Sequence, residues 1–136
     1  MVNAAEAYKR QQIMTATPEA LTLMLYNGCL KFMSEGMEAI EKKEFEQANT
    51  SLQKAQNIIS EFRITLNMDY DISKQLMPLY NYTYDRLVEG NLKSDVKMIQ
   101  EAKDIINELR DAWAQAMKKA RQDKGTQKVQ GSSYVG

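Results

Sequence analysis

Apolar residues recur along much of this chain at alternating steps of three and four. Phe45, Ala48, Leu52, Ala55, Ile59, Phe62 and Leu66 form one such seam. Ile99, Ala102, Ile106, Leu109, Trp113, Ala116 and Ala120 form another. That spacing keeps side chains on one face of an α-helix and matches no strand, whose side chains alternate with a period of two. Helix breakers are scarce, with two Pro and six Gly among 136 residues, three of those Gly at or beyond Gly125. The chain therefore favours long uninterrupted helices over a turn-rich sheet.

Local signals divide the pattern. Residues 1–14 read as a short helical segment with Ala4, Ala7 and Tyr8 on one side. Thr17 is a good N-cap, Pro18 suits the first helical position and Glu19 suits the positive end of the helix dipole, so a long helix starts here and runs to about Lys42. A second helix spans about Glu44 to Leu66. A third is capped by Asp71 or Ser73, is kinked or split by Pro78, and closes at Gly90-Asn91. Ser94 caps a fourth, which runs to about Arg121. Links this short and frequent disfavour a single coiled-coil rod. The prediction is an all-α chain: an antiparallel up-down four-helix bundle over 17–121, preceded by a short N-terminal helical segment in 1–16 and followed by a disordered polar tail, 122–136.

Composition removes several function classes. Lys plus Arg equals Asp plus Glu at 18 each, so no net field steers the chain to nucleic acid. The most apolar run, Leu21 to Met33, is broken by Thr22, Asn27 and Lys31 and is too short to insert in a membrane. A single cysteine and a start without an apolar signal core predict a cytoplasmic protein. The sequence has no His, which removes the usual general base and the commonest metal ligand. Cys29 has no base nearby in sequence and reads as a small packed hydrophobe. No phosphate-binding loop occurs. The expectation is a non-enzyme with no cofactor and no metal.

The helix that begins at Pro18 is unusual in carrying two apolar seams. Leu23, Tyr26, Leu30, Met33, Met37 and Ile40 form one. Leu21, Leu25, Gly28, Phe32, Gly36 and Ala39 form the other, with Met24 and Cys29 at its edge. The two are centred roughly 130° apart. One seam faces the core. The second is covered either by the flanking helices or by a partner helix in a groove. Gly28 and Gly36 favour the partner, since each costs up to about 1 kcal/mol inside a helix and permits close approach of another backbone. Nine methionines, adaptable at irregular apolar contacts, point the same way. A non-catalytic adaptor that grips a folded partner is the alternative.

Five short motifs then stand in order: Ala7-Tyr8-Lys9; Thr17-Pro18-Glu19-Ala20-Leu21-Thr22-Leu23-Met24-Leu25-Tyr26-Asn27-Gly28; Lys54-Ala55-Gln56-Asn57-Ile58-Ile59; Arg86-Leu87-Val88-Glu89-Gly90-Asn91 with Asp95; and Leu109-Arg110-Asp111-Ala112-Trp113. With these the chain resembles the bacterial flagellin export chaperones, the FliS family, over about residues 4–120. The resemblance implies a cytosolic helical bundle that binds the C-terminal segment of flagellin, disordered in isolation. It implies that the bundle blocks premature polymerisation and delivers the subunit to components of the flagellar export gate. It further implies that Leu21, Met24, Leu25, Gly28, Cys29 and Phe32 line the groove. Tyr8, Ile13 and Met14 would lie close to it, as a cover when it is empty. Arg86 and Trp113 would serve packing. Asn27 stands where the family often has Asp, Met68-Asp69-Tyr70-Asp71 where it often has a Gly-containing loop, and Pro78 is unexpected.

Overall fold

A computed structural model describes the backbone of residues 3–135 and the side chains of residues 3–123. It has five helices: α1 (Ala4–Thr15), α2 (Pro18–Glu41), α3 (Phe45–Thr65), α4 (Asp71–Lys93) and α5 (Val96–Val135). α2 packs on α3 and α5, and α4 packs on the same two, so the four long helices close a ring. The start of α2 lies beside the end of α3, the start of α4 and the later part of α5, as the ring contacts of Tyr26 with Phe62 and the Trp113–Glu19 bond require. The fold is thus the antiparallel up-down bundle that the seams predict. The last helix continues to Val135 rather than stopping near Arg121. Most of the expected tail, 122–136, lies outside the residues whose side chains are described.

The core is the sum of the seams. Met33, Leu52, Ile59, Leu87, Ile99 and Ile106 are fully buried, each contributing roughly 1.5–3 kcal/mol relative to exposure. Gly36 decides how closely α2 and α3 pack. A Cβ there would sit 2.5 Å from Leu52 Cδ2, so the leucine occupies the space a side chain would need. The side chain that fills the space beside Gly36 belongs to α3 of this chain and not to a partner.

The helix ends obey capping rules, with three departures from the sequence pattern. Thr17 Oγ1 accepts the Ala20 N–H at 3.2 Å and so caps α2 as predicted. Gly90 does not end α4. It is buried inside the helix, where a Cβ would meet Ile99 Cγ1 at 2.9 Å, so it admits the start of α5. Ser94 is not the cap of the last helix. It turns the chain in the left-handed region at φ 52°, and Asp95 Oδ1 takes the cap by accepting the Lys97 N–H at 3.0 Å. Neither Asp71 nor Ser73 caps α4 through its side chain: Tyr70 holds that position and Ser73 is buried. Pro78 leaves α4 a single helix. It sits on the exposed side, as does Lys74, whose carbonyl loses its partner to the missing N–H, so that carbonyl is not left in the core.

Candidate partner-binding site

The second seam of α2 divides along its length. Gly36 and Ala39 are buried against α3. Nearer the start of the helix, Met24 and Leu25 are 37% and 38% exposed, and Leu21, Gly28 and Phe32 are half-buried. Across from them on α3, Ile58 Cδ1 lies 3.8 Å from where a Gly28 Cβ would be, and Lys54 Nζ sits 5.5 Å over the Phe32 ring. The result is an apolar strip along the α2–α3 seam with a cationic rim at one end.

Cys29 does not belong to that strip. It is 0% exposed, and its Sγ lies 3.8 Å from the Ala55 carbonyl, to which the thiol donates. Burial pushes the thiol up to about 12, which leaves it protonated and unreactive at neutral pH. The placement of Cys29 on the groove is corrected here: the residue is the packed small hydrophobe that its apolar sequence context suggests. The N-terminal segment does not cover the strip in this structure. Tyr8, Ile13 and Met14 are 64%, 54% and 79% exposed, and no residue of α1 is buried. In this structure α1 stands off the bundle and the strip is uncovered. A 12-residue helix with no continuous apolar face has little to bury.

A larger opening lies at the end of the bundle. It is a cleft of about 620 Å³ between the start of α2, the α3–α4 corner and α5. Leu66, Ile72, Leu76, Leu109 and Trp113 supply its apolar walls. Tyr26, Phe62 and Tyr80 line it as a row of rings, Tyr26 tilted on Phe62 with centroids 4.6 Å apart and Phe62 stacked on Tyr80 at 5.4 Å. Trp113 Nε1 donates to the Glu19 carbonyl at 3.0 Å and ties α5 to the first turn of α2. No site residue named from the sequence falls here except through the two packing assignments, of which Trp113 also faces the cleft. The signal was present in the α5 seam. Its first residues, Ile99, Ala102 and Ile106, are buried, whereas Ala116 and Ala120 are exposed because the seam continues past the ends of its neighbours.

The polar motif positions hold helices together. Arg110 Nη1 donates to Asn27 Oδ1 at 3.1 Å, so the guanidinium is bonded to a neutral amide rather than paired with a carboxylate between α5 and α2. Arg86 Nε reaches Glu101 at 3.2 Å and the Tyr82 hydroxyl at 3.1 Å, linking α4 to α5. Among the described residues, no group of three or more His, Cys, Asp or Glu side chains is placed to hold a metal ion, and no helix is long and apolar enough to cross a membrane.

Comparison with known proteins gives the arrangement a context. The family model for flagellar protein FliS matches residues 1–120. The chain is 45% identical over 122 residues to the flagellar secretion chaperone FliS of Bacillus subtilis (strain 168), covering 90% of this chain and 92% of that one. It is 30% identical over 121 residues to the flagellar secretion chaperone FliS of Vibrio cholerae, covering 85% and 89%. A crystal structure of a flagellar chaperone from bacteria matches the fold with a TM-score of 0.70 at 22% identity, over 86% of this chain and 99% of that one. With its helical ring, its motifs and these relatives in agreement, the chain belongs to the FliS family of flagellar proteins.

Proposed function

We propose that this chain is a cytoplasmic flagellar secretion chaperone that holds the C-terminal segment of flagellin, prevents its premature polymerisation and passes it to the export apparatus. Family membership supports the chaperone role. The observation that carries the binding site is the apolar strip of α2, where Met24 and Leu25 are exposed and Leu21, Gly28 and Phe32 half-buried on a helix already packed on two sides. A segment disordered alone folds as an amphipathic helix into such a strip, its apolar anchors replacing the water over these residues. Each anchor contributes up to roughly 1.5–3 kcal/mol before the cost of ordering the segment is subtracted. Tyr8, Ile13 and Met14, exposed on α1, add a second set of apolar contacts once the segment is seated.

Leu25→Asp and Phe32→Asp place a carboxylate on the strip at positions the fold does not seal. Isothermal calorimetry with a flagellin C-terminal peptide is expected to show affinity reduced tenfold or more in both, with far-UV circular dichroism unchanged. Wild-type affinity in both folded variants rules the strip out as the seat.

A further inference from the structure

Charge is spread unevenly along the chain. Residues 17–113 carry 16 acidic side chains against 11 basic ones, whereas 114–136 carry Lys118, Lys119, Arg121, Lys124 and Lys128 against the single Asp123. The equal totals of the whole sequence therefore conceal an acidic bundle joined to a basic stretch of α5. The structure places that stretch outside the bundle. Met117 is half-buried beside Thr17, Glu19 and Ala20 at the start of α2. The next six residues, 118–123, are all exposed, and they span more than one full turn, so every side of the helix meets solvent there. The bond from Trp113 to the Glu19 carbonyl anchors α5 just before this arm, so the bundle sets the direction in which the arm projects.

The fold does not account for the cations of the arm. Lys31, Lys42, Lys74, Arg86, Lys93 and Arg110 pair with carboxylates on the bundle, but none of the ion pairs among the described residues involves Lys118, Lys119 or Arg121. The helix dipole does not account for them either. α5 continues to Val135, so they stand several turns from its C-terminal end, and the dipole's effect fades within the last turn. Their spacing specifies the shape of what they meet. Lys118 and Arg121 are three apart, and the sequence continues with Lys124 and Lys128 at further steps of three and four. At helical spacing these four positions fall within about 120° of arc, a stripe roughly 15 Å long on one side, with Asp123 on the other. Such a stripe matches a plane of negative charge. A helix in a nucleic-acid groove has phosphates along both flanks, and single strands are held by stacking aromatics, of which 118–123 has none. None of these six residues is large and apolar, so the arm rests on a charged surface without inserting. The acidic bundle is repelled by the same surface, which confines the contact to the arm.

We infer that the projecting part of α5 docks the protein on the anionic lipid headgroups of the membrane through which its client leaves. This rests on the reading of the protein as a flagellin chaperone and gives that reading a place of delivery. Export from the cytoplasm crosses a membrane, and the inner leaflet of that membrane is an anionic plane that attracts basic segments. Held by charge alone, the contact is reversible and sensitive to salt.

The test floats the full-length chain with vesicles of phosphatidylcholine alone or with about one-third phosphatidylglycerol. The expected result is binding to the anionic vesicles at about 0.1 M salt, release at about 0.5 M, and no binding to phosphatidylcholine alone. Lys118→Glu/Arg121→Glu changes two positions that are exposed in the fold. It is expected to weaken vesicle binding about tenfold or more, with unchanged circular dichroism and unchanged affinity for a flagellin C-terminal peptide. Lys74→Glu/Lys97→Glu makes the same change in net charge at exposed positions of the bundle and is expected to bind vesicles as wild type does. Equal loss in the two variants means that only net charge matters and overturns the arm. Absence of binding to anionic vesicles overturns it too, as does tighter binding to a duplex oligonucleotide, which assigns the stripe to nucleic acid. Vesicle binding through the arm without peptide binding overturns the client reading and leaves the lipid contact standing. Peptide binding without vesicle binding does the reverse.

Discussion

Two glycines on one helix show how differently the same residue type acts in context. Gly36 has Leu52 in the space of its missing side chain, whereas a Cβ at Gly28 would touch only Ile58 at an ordinary 3.8 Å. Gly36→Ala therefore forces α2 and α3 apart, and overpacking outweighs the gain in helix propensity, for a net loss of about 1–2 kcal/mol. Gly28→Ala meets no obstacle and is expected to stabilise the chain by up to about 1 kcal/mol. Urea midpoints of the two variants should move in opposite directions; a shift of both in the same direction contradicts the packing described for α2. From the sequence both glycines read as positions of close approach on the spare seam. Spacing along a helix locates a glycine on a face but does not reveal which helix lies against it.

At the scale of the element, α4 tests local rules against packing. Proline at Pro78 removes one backbone hydrogen bond and disfavours the helical conformation just before it. The helix persists because both flanks are held: Tyr80, Thr83 and Leu87 are buried on one side of the proline and Ser73 on the other. Tertiary burial of a whole face outweighs a local cost of about 3 kcal/mol. Pro78→Ala restores the missing N–H on an exposed surface, offset partly by a more flexible unfolded chain. The expected gain is about 1–2 kcal/mol, measured as a higher urea midpoint with an unchanged m-value. The α2–α3 and α4–α5 turns, which share one end of the bundle, follow the same logic. Lys43 at φ 61° and Ser94 at φ 52° take the left-handed conformation without glycine, held by backbone bonds such as Glu44 N–H to the Ala39 carbonyl at 2.8 Å.

For the molecule as a whole, the absence of histidine removes the titration that most often bends stability near neutral pH. The alkaline side is governed by buried acids. The Cys29 thiol is held at about 12 against an ordinary 9.0, so the folded chain keeps a proton that the unfolded chain releases. A group raised in this way contributes its full stability below the unfolded value and loses it as the pH climbs toward the folded one, at up to about 1.4 kcal/mol per pH unit. Tyr26 and Tyr80, also raised by burial, act in the same direction at higher pH. Wild type is expected to lose stability between about pH 9 and 11 by chemical denaturation, and Cys29→Ala to lose about 1–2 kcal/mol less over that interval. Parallel pH profiles would mean that the thiol is accessible in the folded chain. On the acid side Glu38 and Glu89 are lowered, each chiefly by a hydrogen bond from a lysine one turn away. Glu38 is exposed and Glu89 half-exposed, so their effect is weak and is screened by salt.

The seams of α3 and α5, the cap at Thr17, the buried half of α2 and the helical class were legible in the chain because each is a local pattern, repeated within a few turns of one helix. The surplus of apolar surface on α2 was legible for the same reason. Which part of that surplus stays open was not. Leu25 and Phe32 remain accessible, while Cys29 and Gly36 are sealed, because the crossing of α2 over α3 covers one half of the helix and not the other. The end cleft belongs entirely to the tertiary structure. It exists because α5 outlasts the helices beside it and because Tyr26, Phe62 and Tyr80, far apart in sequence, meet at one corner of the bundle. Periodicity determines which face of a helix is apolar; only the relative lengths and contacts of the helices determine where that face is left without a neighbour.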